Sequence, residues 1–143
     1  MRYDLRPATE SEKDLIFESY RITVGPYVAK AWGWDESLQR ENFWKHHPFK
    51  DFKVIQLENS FGGGLHMEED ESDVYIRMIF LLPEFQGLGI GTQLITDLHH
   101  VARNQGKGLG LKVIRGNPAC RLYERLGFIV TGQDDTSQDM RWA

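Results

Sequence analysis

The chain has 143 residues, of which 41% are hydrophobic and 27% are charged, and its formal net charge is −4. This length corresponds to one domain, which we place over residues 1–143, and the composition is ordinary for a soluble globular protein. No apolar run approaches the ~20 residues of a membrane helix, and a single cysteine, Cys120, excludes an intrachain disulfide. Because residues 1–6 contain no apolar signal core, we expect a cytoplasmic protein without membrane contact.

Charge is distributed unevenly along the chain. Residues 1–73 carry a balance of −6, whereas residues 74–130 carry +4. A cationic segment in an acidic protein favours an anionic ligand held by that segment, although a solvated surface of uneven charge explains the pattern equally well. No cluster of Lys and Arg is dense enough to neutralise many phosphates, so we expect no nucleic-acid partner.

The N-terminal residues predict a strand, a helix and a loop. Residues 2–6 favour a short strand, and Thr9 then caps a helix over residues 10–20, with Glu12 placed to complete a capping box. Residues 21–33 contain two glycines and a proline, which indicate a loop.

The next segment predicts a helix and a hairpin. Asp35 is a suitable N-cap for a helix that runs to about residue 46, with Leu38 and Phe43 facing inward. Residues 53–57 and 61–67 are typical of two strands joined by a tight turn.

The middle of the chain predicts its most buried strand. Residues 68–73 are acidic and indicate a solvated connecting turn. Residues 74–82 are an almost unbroken run of bulky apolar side chains, which is typical of a central strand covered on both faces. Apolar residues then recur at helical spacing over residues 90–102, and Gly106 is placed to end that helix. The remaining predicted elements are a strand at 108–115, a helix capped by Asn117 with Pro118 at its first position and Gly127 past its end, and strands at 128–131 and 138–142. Together these elements predict a mixed α/β fold, with a sheet of six or seven strands and about four helices.

A glycine-rich loop separates the most buried strand from the most regular helix. Residues 86–92 place Gly87, Gly89 and Gly91 at alternate positions. Glycine lets the main chain approach a ligand closely, and the first turn of a helix offers unpaired N–H groups and the positive end of the helix dipole. A plain strand-to-helix turn needs about one glycine, so three of them favour a diphosphate-binding loop.

Other ligand motifs are excluded by single positions. A dinucleotide-binding G-x-G-x-x-G needs a further glycine where Thr92 or Leu94 stands, and the Gly106-Lys107 pair lacks the Ser or Thr of a P-loop. With one cysteine and no H-E-x-x-H, a metal site has no support, so we expect none. Four histidines are interpreted as surface residues: His46, His47, His99 and His100.

Two segments in the right order and at the right separation resemble a known family. Gln86-x-x-Gly89-x-Gly91 is similar to the Q/R-x-x-G-x-G/A signature of GNAT acetyltransferases, and residues 117–128 are similar to their N-x-x-A-x-x-L-Y-x-x-x-G-F signature. The resemblance is clearest over residues 74–130. It implies the acyl-CoA N-acyltransferase fold, in which a mostly antiparallel sheet is splayed between its fourth and fifth strands.

The resemblance also implies an enzyme that uses acetyl-CoA as co-substrate. The main chain from Ile79 to Leu81 would hydrogen-bond the pantetheine arm, the amides from Gly87 to Thr92 would take the pyrophosphate, and Tyr123 would protonate the departing sulfur. The cofactor-binding residues implied in this way are Ile79, Phe80, Leu81, Gln86, Gly87, Leu88, Gly89, Ile90, Gly91, Thr92, Asn117 and Tyr123.

The chemistry of thioester aminolysis suits Leu81 and Tyr123 as the catalytic groups. A main-chain N–H aimed at the developing oxyanion is effective in a dry site, and Leu81 is the natural donor. A tyrosine with an ordinary pKa of about 10 stays protonated at neutral pH and can act as the acid. Without the resemblance, the preferred interpretation of Tyr123 is a core residue on an amphipathic helix.

The chain departs from the family pattern at two positions. Gly116 occupies the family's asparagine position, so Asn117 is also explained as a helix cap alone. Leu88 stands where a lysine or arginine is common, which removes one charge near the phosphates. Cys120 has no histidine near it in sequence, and we interpret it as a small packed residue rather than as a nucleophile.

Aromatic and acidic residues between positions 20 and 36 are the candidates for binding the acceptor. Aromatic faces and a carboxylate would hold a cationic amine, and the residues so assigned are Tyr27, Trp32, Trp34 and Glu36. The alternative is that the tryptophans pack in the core and Asp35 only caps its helix. The general base stays open between Glu36, Glu68, His66 and a water chain.

The sequence therefore predicts direct acetyl transfer to a primary amine of a small molecule or peptide, in a ternary complex and without an acyl-enzyme. A homodimer stays open. The alternative function is a non-catalytic acyl-CoA-binding sensor or interaction module of the same fold, and a third is an enzyme that uses a longer acyl chain.

Overall fold

The predicted alternation of strands and helices is present in the computed structural model, which describes residues 2–143. Within that range there are seven strands and five α-helices, one helix more than predicted. The strands are β1 (Tyr3–Pro7), β2 (Phe52–Leu57), β3 (Ser60–Glu69), β4 (Asp73–Leu81), β5 (Gly108–Ile114), β6 (Ile129–Gln133) and β7 (Ser137–Trp142). The helices are α1 (Lys13–Thr23), α2 (Gly25–Trp32), α3 (Glu36–His46), α4 (Ile90–Asn104) and α5 (Ala119–Leu126).

One mixed sheet contains all seven strands in the order β1-β2-β3-β4-β5-β7-β6, so β4 is central as predicted. The pairs β1–β2, β2–β3, β5–β7 and β6–β7 are antiparallel, and only β4–β5 is a parallel pair among the described registers. The parallel ladder joins Asp73–Ile76 to Gly108–Leu111, whereas β4 continues to Leu81. Pairing that stops halfway along β4 is what a sheet splayed between its fourth and fifth strands requires.

Two compact units divide the described chain. The first runs to His66 and also takes in Met78–Ile90, and the second consists of Met67–Arg77 and Gly91–Ala143. In the first unit, the rings of Phe17, Tyr20, Phe43 and Phe52 form an aromatic core in which Tyr20 and Phe43 are 4.8 Å apart. In the second unit, the fully buried side chains are Leu94, Ile95, Ala102, Leu109 and Met140. Within residues 2–143, no helix is long and apolar enough to cross a membrane.

The segment at 21–33 is helical, so the prediction of a loop there is wrong. Helix α1 continues to Thr23, and α2 follows at Gly25 with Pro26 in its first turn. Proline is tolerated at that position because its missing N–H would have no partner inside the helix. Gly25 is buried, and the Trp34 ring lies 3.3 Å from where its Cβ would stand, so a side chain at this position would press against that ring.

The burial of individual side chains corrects two further predictions. On α3, Phe43 is buried as expected, but Leu38 is 50% exposed. On β4, Val74, Ile76 and Phe80 are buried whereas Arg77 is exposed, so this strand is not covered along both faces. Apolar periodicity reports which face of an element turns inward, but it does not report how far the covering layer extends.

Two of the four histidines predicted at the surface, His47 and His99, are buried. His47 and His66 share a hydrogen bond of 2.8 Å between their Nδ1 atoms, and the two rings are perpendicular. The ring of His99 stacks on Trp142 at 3.6 Å, and its Nε2 donates to the carbonyl oxygen of Ala143. A buried imidazole is tolerated where its ring nitrogens form hydrogen bonds. The partners of His47 and His99 are 19 and 44 residues away along the chain, so no local sequence pattern indicates them.

Residues 10–12, predicted as the start of the first helix, form a separate 3₁₀ turn before α1, and Glu12 links that turn to β1 through the predicted capping box. Its carboxylate accepts from the Thr9 N–H at 2.9 Å, and both terminal nitrogens of Arg6 donate to it at 2.9 and 2.6 Å. The bonds from Arg6, followed by those from Thr9, lower the pKa of Glu12 to about 2. The ionised form is therefore the one that the folded state stabilises.

Replacing Glu12 with Gln is expected to lower the free energy of unfolding by roughly 1–2 kcal/mol at pH 7. A lowered pKa contributes stability that is complete above the ordinary value of 4.5 and is lost as the pH falls toward 2. Urea unfolding at pH 7, 5 and 3 should therefore show a difference between wild type and Glu12→Gln that shrinks in acid. Glu10→Gln, with a side chain 78% exposed, is the control; a Glu12 effect that does not vary with pH would contradict the assignment.

Three consecutive glycines in β3 let the end of β4 approach closely. A Cβ added to Gly63 would lie 2.0 Å from the Phe80 carbonyl oxygen, and one added to Gly64 would lie 2.6 Å from the Phe52 ring. The β2–β3 register shifts between Ile55 and Gln56, opposite this segment. The main chain of β4 at Phe80 therefore rests directly on the main chain of β3.

Candidate active site

The loop from Gln86 to Thr92 leads from the end of β4 into α4. Gly87 and Gly89 have φ of 74° and 83°, in the left-handed region that favours glycine. A Cβ added to either one would meet no atom within 4 Å. The main-chain conformation, rather than crowding inside the protein, therefore requires these glycines, and the space beside them is open to a ligand.

Main-chain N–H groups of this loop are available to such a ligand. Within the described chain, the N–H groups of Gly87 and Gly89 donate to no protein oxygen. The first turn of α4 adds the N–H groups of Ile90, Gly91 and Thr92, which an α-helix leaves without an internal acceptor. The Ile90 side chain is buried, which anchors that turn, whereas Leu88 is 55% exposed. A row of donors at the N-terminus of a 15-residue helix fits a diphosphate.

The end of β4 is held by hydrogen bonds on both of its edges. The Leu82 N–H donates to the Gly62 carbonyl oxygen at 2.9 Å, and Gln86 Nε2 donates to the Leu81 carbonyl oxygen at 2.9 Å. Leu81 is still in extended conformation, so its own N–H points to the same edge as its carbonyl, away from β3. Ile79 is half-buried, and the Phe80 ring is buried 6.4 Å from that of Phe52.

Tyr123 lies on α5 with its ring buried beside Phe128, 5.5 Å away. Burial, with a smaller contribution from Cys120, raises the pKa of the Tyr123 phenol well above its usual value of 10.0. Tyr123 is only 6% exposed, and the raised pKa keeps its phenol protonated at neutral pH. A protonated phenol can donate a proton.

Local contacts near the start of α5 account for Asn117 and Cys120 without a role in ligand binding or catalysis. The Asn117 side-chain oxygen accepts from the Ala119 N–H at 3.0 Å, as expected of a helix cap. Cys120 is half-buried, and burial raises the pKa of its thiol, which disfavours the thiolate that a nucleophile needs. Both observations agree with the structural alternatives given for these residues above.

The four residues predicted to bind the acceptor fall into different environments. Trp32 is 58% exposed at the end of α2, and Tyr27 is half-buried on the same helix. Trp34 packs against Phe17, with ring centroids 6.3 Å apart, and its indole N–H donates to Glu36 at 3.4 Å. The structure therefore brings Trp34 and Glu36 together and leaves Trp32 the more accessible aromatic ring.

One contact at the site escaped the sequence prediction. Gln86 was assigned to the cofactor, yet its side chain bonds the end of β4. The only sequence signal for this contact is a glutamine a few residues after the predicted end of the strand. The contact itself depends on the turn at Pro83–Phe85, which brings the Gln86 side chain back to β4. Within residues 2–143, no group of three or more His, Cys, Asp or Glu side chains is placed to hold a metal ion.

Solved structures with a similar architecture include acetyltransferases. The chain is similar to the structure of PaiA N-acetyltransferase from Thermoplasma acidophilum in complex with coenzyme A, with a TM-score of 0.76, 16% identity and 99% of each chain covered. It is also similar to a GNAT family acetyltransferase from Elizabethkingia anophelis with acetyl-CoA bound, with a TM-score of 0.67, 15% identity, and 98% of this chain and 97% of that chain covered. At such identities the likeness establishes the fold alone. Among curated proteins, no sequence matches the chain significantly.

The sequence model of the acetyltransferase (GNAT) family matches residues 15–128. That match covers well over half of the chain and includes β4, the glycine loop and α5. The resemblance that two short signatures indicated is thereby confirmed: the chain belongs to the GNAT acetyltransferase family.

Proposed function

We propose that this protein transfers an acetyl group from acetyl-CoA to a primary amine of a small molecule or peptide. The observation that carries the proposal is the row of main-chain N–H groups from Gly87 to Thr92, where glycine conformation and a helix N-terminus coincide. Two structural neighbours were solved with coenzyme A or acetyl-CoA bound, which supports the same ligand class.

The residues present fit the co-substrate. Amides of the glycine loop would hold the pyrophosphate, and the β4 main chain from Ile79 to Leu81 would bond the pantetheine arm. The Leu81 carbonyl already accepts from Gln86, so the N–H of Leu81 is the group we assign to the reacting end. When bound, acetyl-CoA supplies an acetyl thioester, whose carbonyl carbon is the electrophile.

Two groups of this chain then divide the chemical work. Leu81 donates its N–H to the oxygen that becomes negative when the amine attacks, and a preorganised donor costs nothing to orient at that moment. Tyr123 gives its phenolic proton to the departing sulfur, since its raised pKa keeps the phenol protonated at neutral pH. The amine attacks in its neutral form, and the proton that it then loses passes through water and restores the phenol. No acyl-enzyme is needed, since Cys120 is an unfavourable nucleophile.

For the acceptor, the exposed ring of Trp32 and the carboxylate of Glu36 are the assigned groups, with Tyr27 and Trp34 completing the aromatic surface. An aromatic face and a negative charge attract a protonated amine, and the −6 balance of residues 1–73 acts in the same direction. This assignment predicts a cationic acceptor, and a metal plays no part in it.

A thiol-release assay tests the proposal. Purified protein is mixed with acetyl-CoA and a panel of amines that includes polyamines, amino sugars and peptide N-termini, and free thiol is followed over time. Release that depends on an amine, together with an acetylated product by mass spectrometry, is the expected result. Binding of acetyl-CoA without release on any amine would instead favour a non-catalytic acyl-CoA sensor.

A further inference from the structure

The Gln86 side chain forms one of two hydrogen bonds that hold the Leu81–Leu82 peptide at the end of β4. The Gln86 Nε2 donates to the Leu81 carbonyl oxygen, while on the opposite edge the Leu82 N–H donates to the Gly62 carbonyl oxygen, each at 2.9 Å. In a trans peptide the C=O and N–H point in opposite directions, and no described peptide is cis. The Leu81–Leu82 peptide is therefore held at both of its polar ends.

The preceding peptide, Phe80–Leu81, has the opposite orientation, as successive peptides of a strand do, and the evidence for it is independent. The Phe80 carbonyl oxygen faces Gly63, only 2.0 Å from the position that a Cβ there would take. Because that carbonyl points toward β3, the N–H of Leu81 in the same trans peptide points away from β3. Both peptides flanking Leu81 thus direct its N–H to the edge at which Gln86 bonds its carbonyl.

A short turn gives Gln86 this reach. Pro83–Phe85 forms a 3₁₀ turn, in which the Phe85 N–H donates to the Leu82 carbonyl and the Gln86 N–H donates to the Pro83 carbonyl. The turn folds the chain back so that a side chain five residues along meets the strand end. Gln86 is also the first residue of the glycine loop, so one residue ties the loop to the strand.

We propose that Gln86 is a positioning residue, which fixes the Leu81–Leu82 peptide and so aims the Leu81 N–H at the reacting carbonyl oxygen. The aiming role rests on the proposed acetyltransferase function, whereas the fixing role does not. Gln86 is exposed, and a hydrogen bond in contact with water gives a modest effect, which we expect to be about three- to tenfold.

The experiment compares Gln86→Ala with Gln86→Arg, which keeps a long donor, and with Gln105→Ala, an exposed glutamine outside the site. Three quantities are measured: amide hydrogen exchange at Leu82 by NMR, the Kd of coenzyme A by calorimetry, and kcat. In Gln86→Ala, exchange at Leu82 should rise and kcat should fall by about three- to tenfold, with Kd within about twofold of wild type. Gln86→Arg should keep the wild-type exchange at Leu82 and the wild-type kcat, because it keeps a donor. Gln105→Ala should change neither of these two quantities.

Each other outcome overturns a defined part of the proposal. Unchanged exchange together with a weaker Kd would make Gln86 a direct ligand contact rather than a positioning residue. Faster exchange with unchanged kcat would leave a clamp that does not aim the N–H. Wild-type protein without turnover would remove the proposed function, and exchange at Leu82 would still decide whether Gln86 fixes the peptide.

Discussion

Replacing Tyr123 with Phe is expected to lower kcat by about 10²- to 10³-fold while the Kd of acetyl-CoA changes by less than about threefold. The reason is that the change removes the proton donor but leaves the buried ring, which packs against Phe128. Without that proton, sulfur must leave as a thiolate, and the barrier to departure rises. Steady-state thiol release and a calorimetric titration measure the two quantities separately.

Tyr75→Phe is the matched control, because Tyr75 is a half-buried tyrosine whose pKa burial also raises but which we place outside the machinery. It should turn over at the wild-type rate. The raised pKa of Tyr123 adds a second expectation: the wild-type rate should show no loss from tyrosine ionisation below about pH 10. Equal kcat for wild type and Tyr123→Phe would remove Tyr123 from the acid role.

Gly63→Ala is expected to destabilise the fold by about 3 kcal/mol or more, a larger cost than most overpacking substitutions. The added methyl group would meet the Phe80 carbonyl oxygen at 2.0 Å, and the Cα of Leu81 lies 3.1 Å away. These are main-chain atoms that no rotamer change can move aside, so β4 itself must shift. Urea unfolding followed by circular dichroism measures the loss.

Gly132→Ala on β6 provides the control for a glycine in a strand. Its nearest neighbour would be a side-chain oxygen of Asp139 at 3.4 Å, an ordinary contact. We expect the free energy of unfolding to change by less than about 1 kcal/mol, because alanine lowers the conformational entropy of the unfolded chain and this gain offsets the close contact. Equal midpoints for Gly63→Ala and Gly132→Ala would show that β4 does not rest on β3 as described.

The order of elements was predictable because it depends on local patterns. Alternating bulky side chains located β5, helical spacing located α4, and Gly106 and Gly127 located the ends of α4 and α5. Helix α2 was missed because Gly25 and Pro26 are ordinarily read as breakers, although proline is acceptable in a first turn and Gly25 makes room for a distant ring. The reason for that glycine is a tertiary contact with Trp34, which the local sequence does not contain.

In the candidate site, too, local features were predictable from the sequence and tertiary contacts were not. The spacing of Gly87, Gly89 and Gly91 was enough to predict a glycine-dependent loop at the start of α4, and Gly87 and Gly89 have the positive φ that favours glycine. That this loop binds a ligand stays a prediction. The bond from Gln86 to Leu81 and the burial of His47 depend on which segments meet after folding. Such contacts are specified by the whole sheet rather than by any short motif.

Calorimetric titration of acetyl-CoA tests the central claim, that the main-chain amides of the glycine loop grip its pyrophosphate. Wild-type protein is compared with Gly89→Ala and with Gly106→Ala, a glycine of similar positive φ and equally open surroundings outside the loop. An alanine is strained at such φ, so the loop in Gly89→Ala should relax and turn its N–H groups away, weakening binding by about tenfold or more. Gly106→Ala should bind as wild type does. No heat with the wild-type protein, or equal affinity for both variants, would contradict the account.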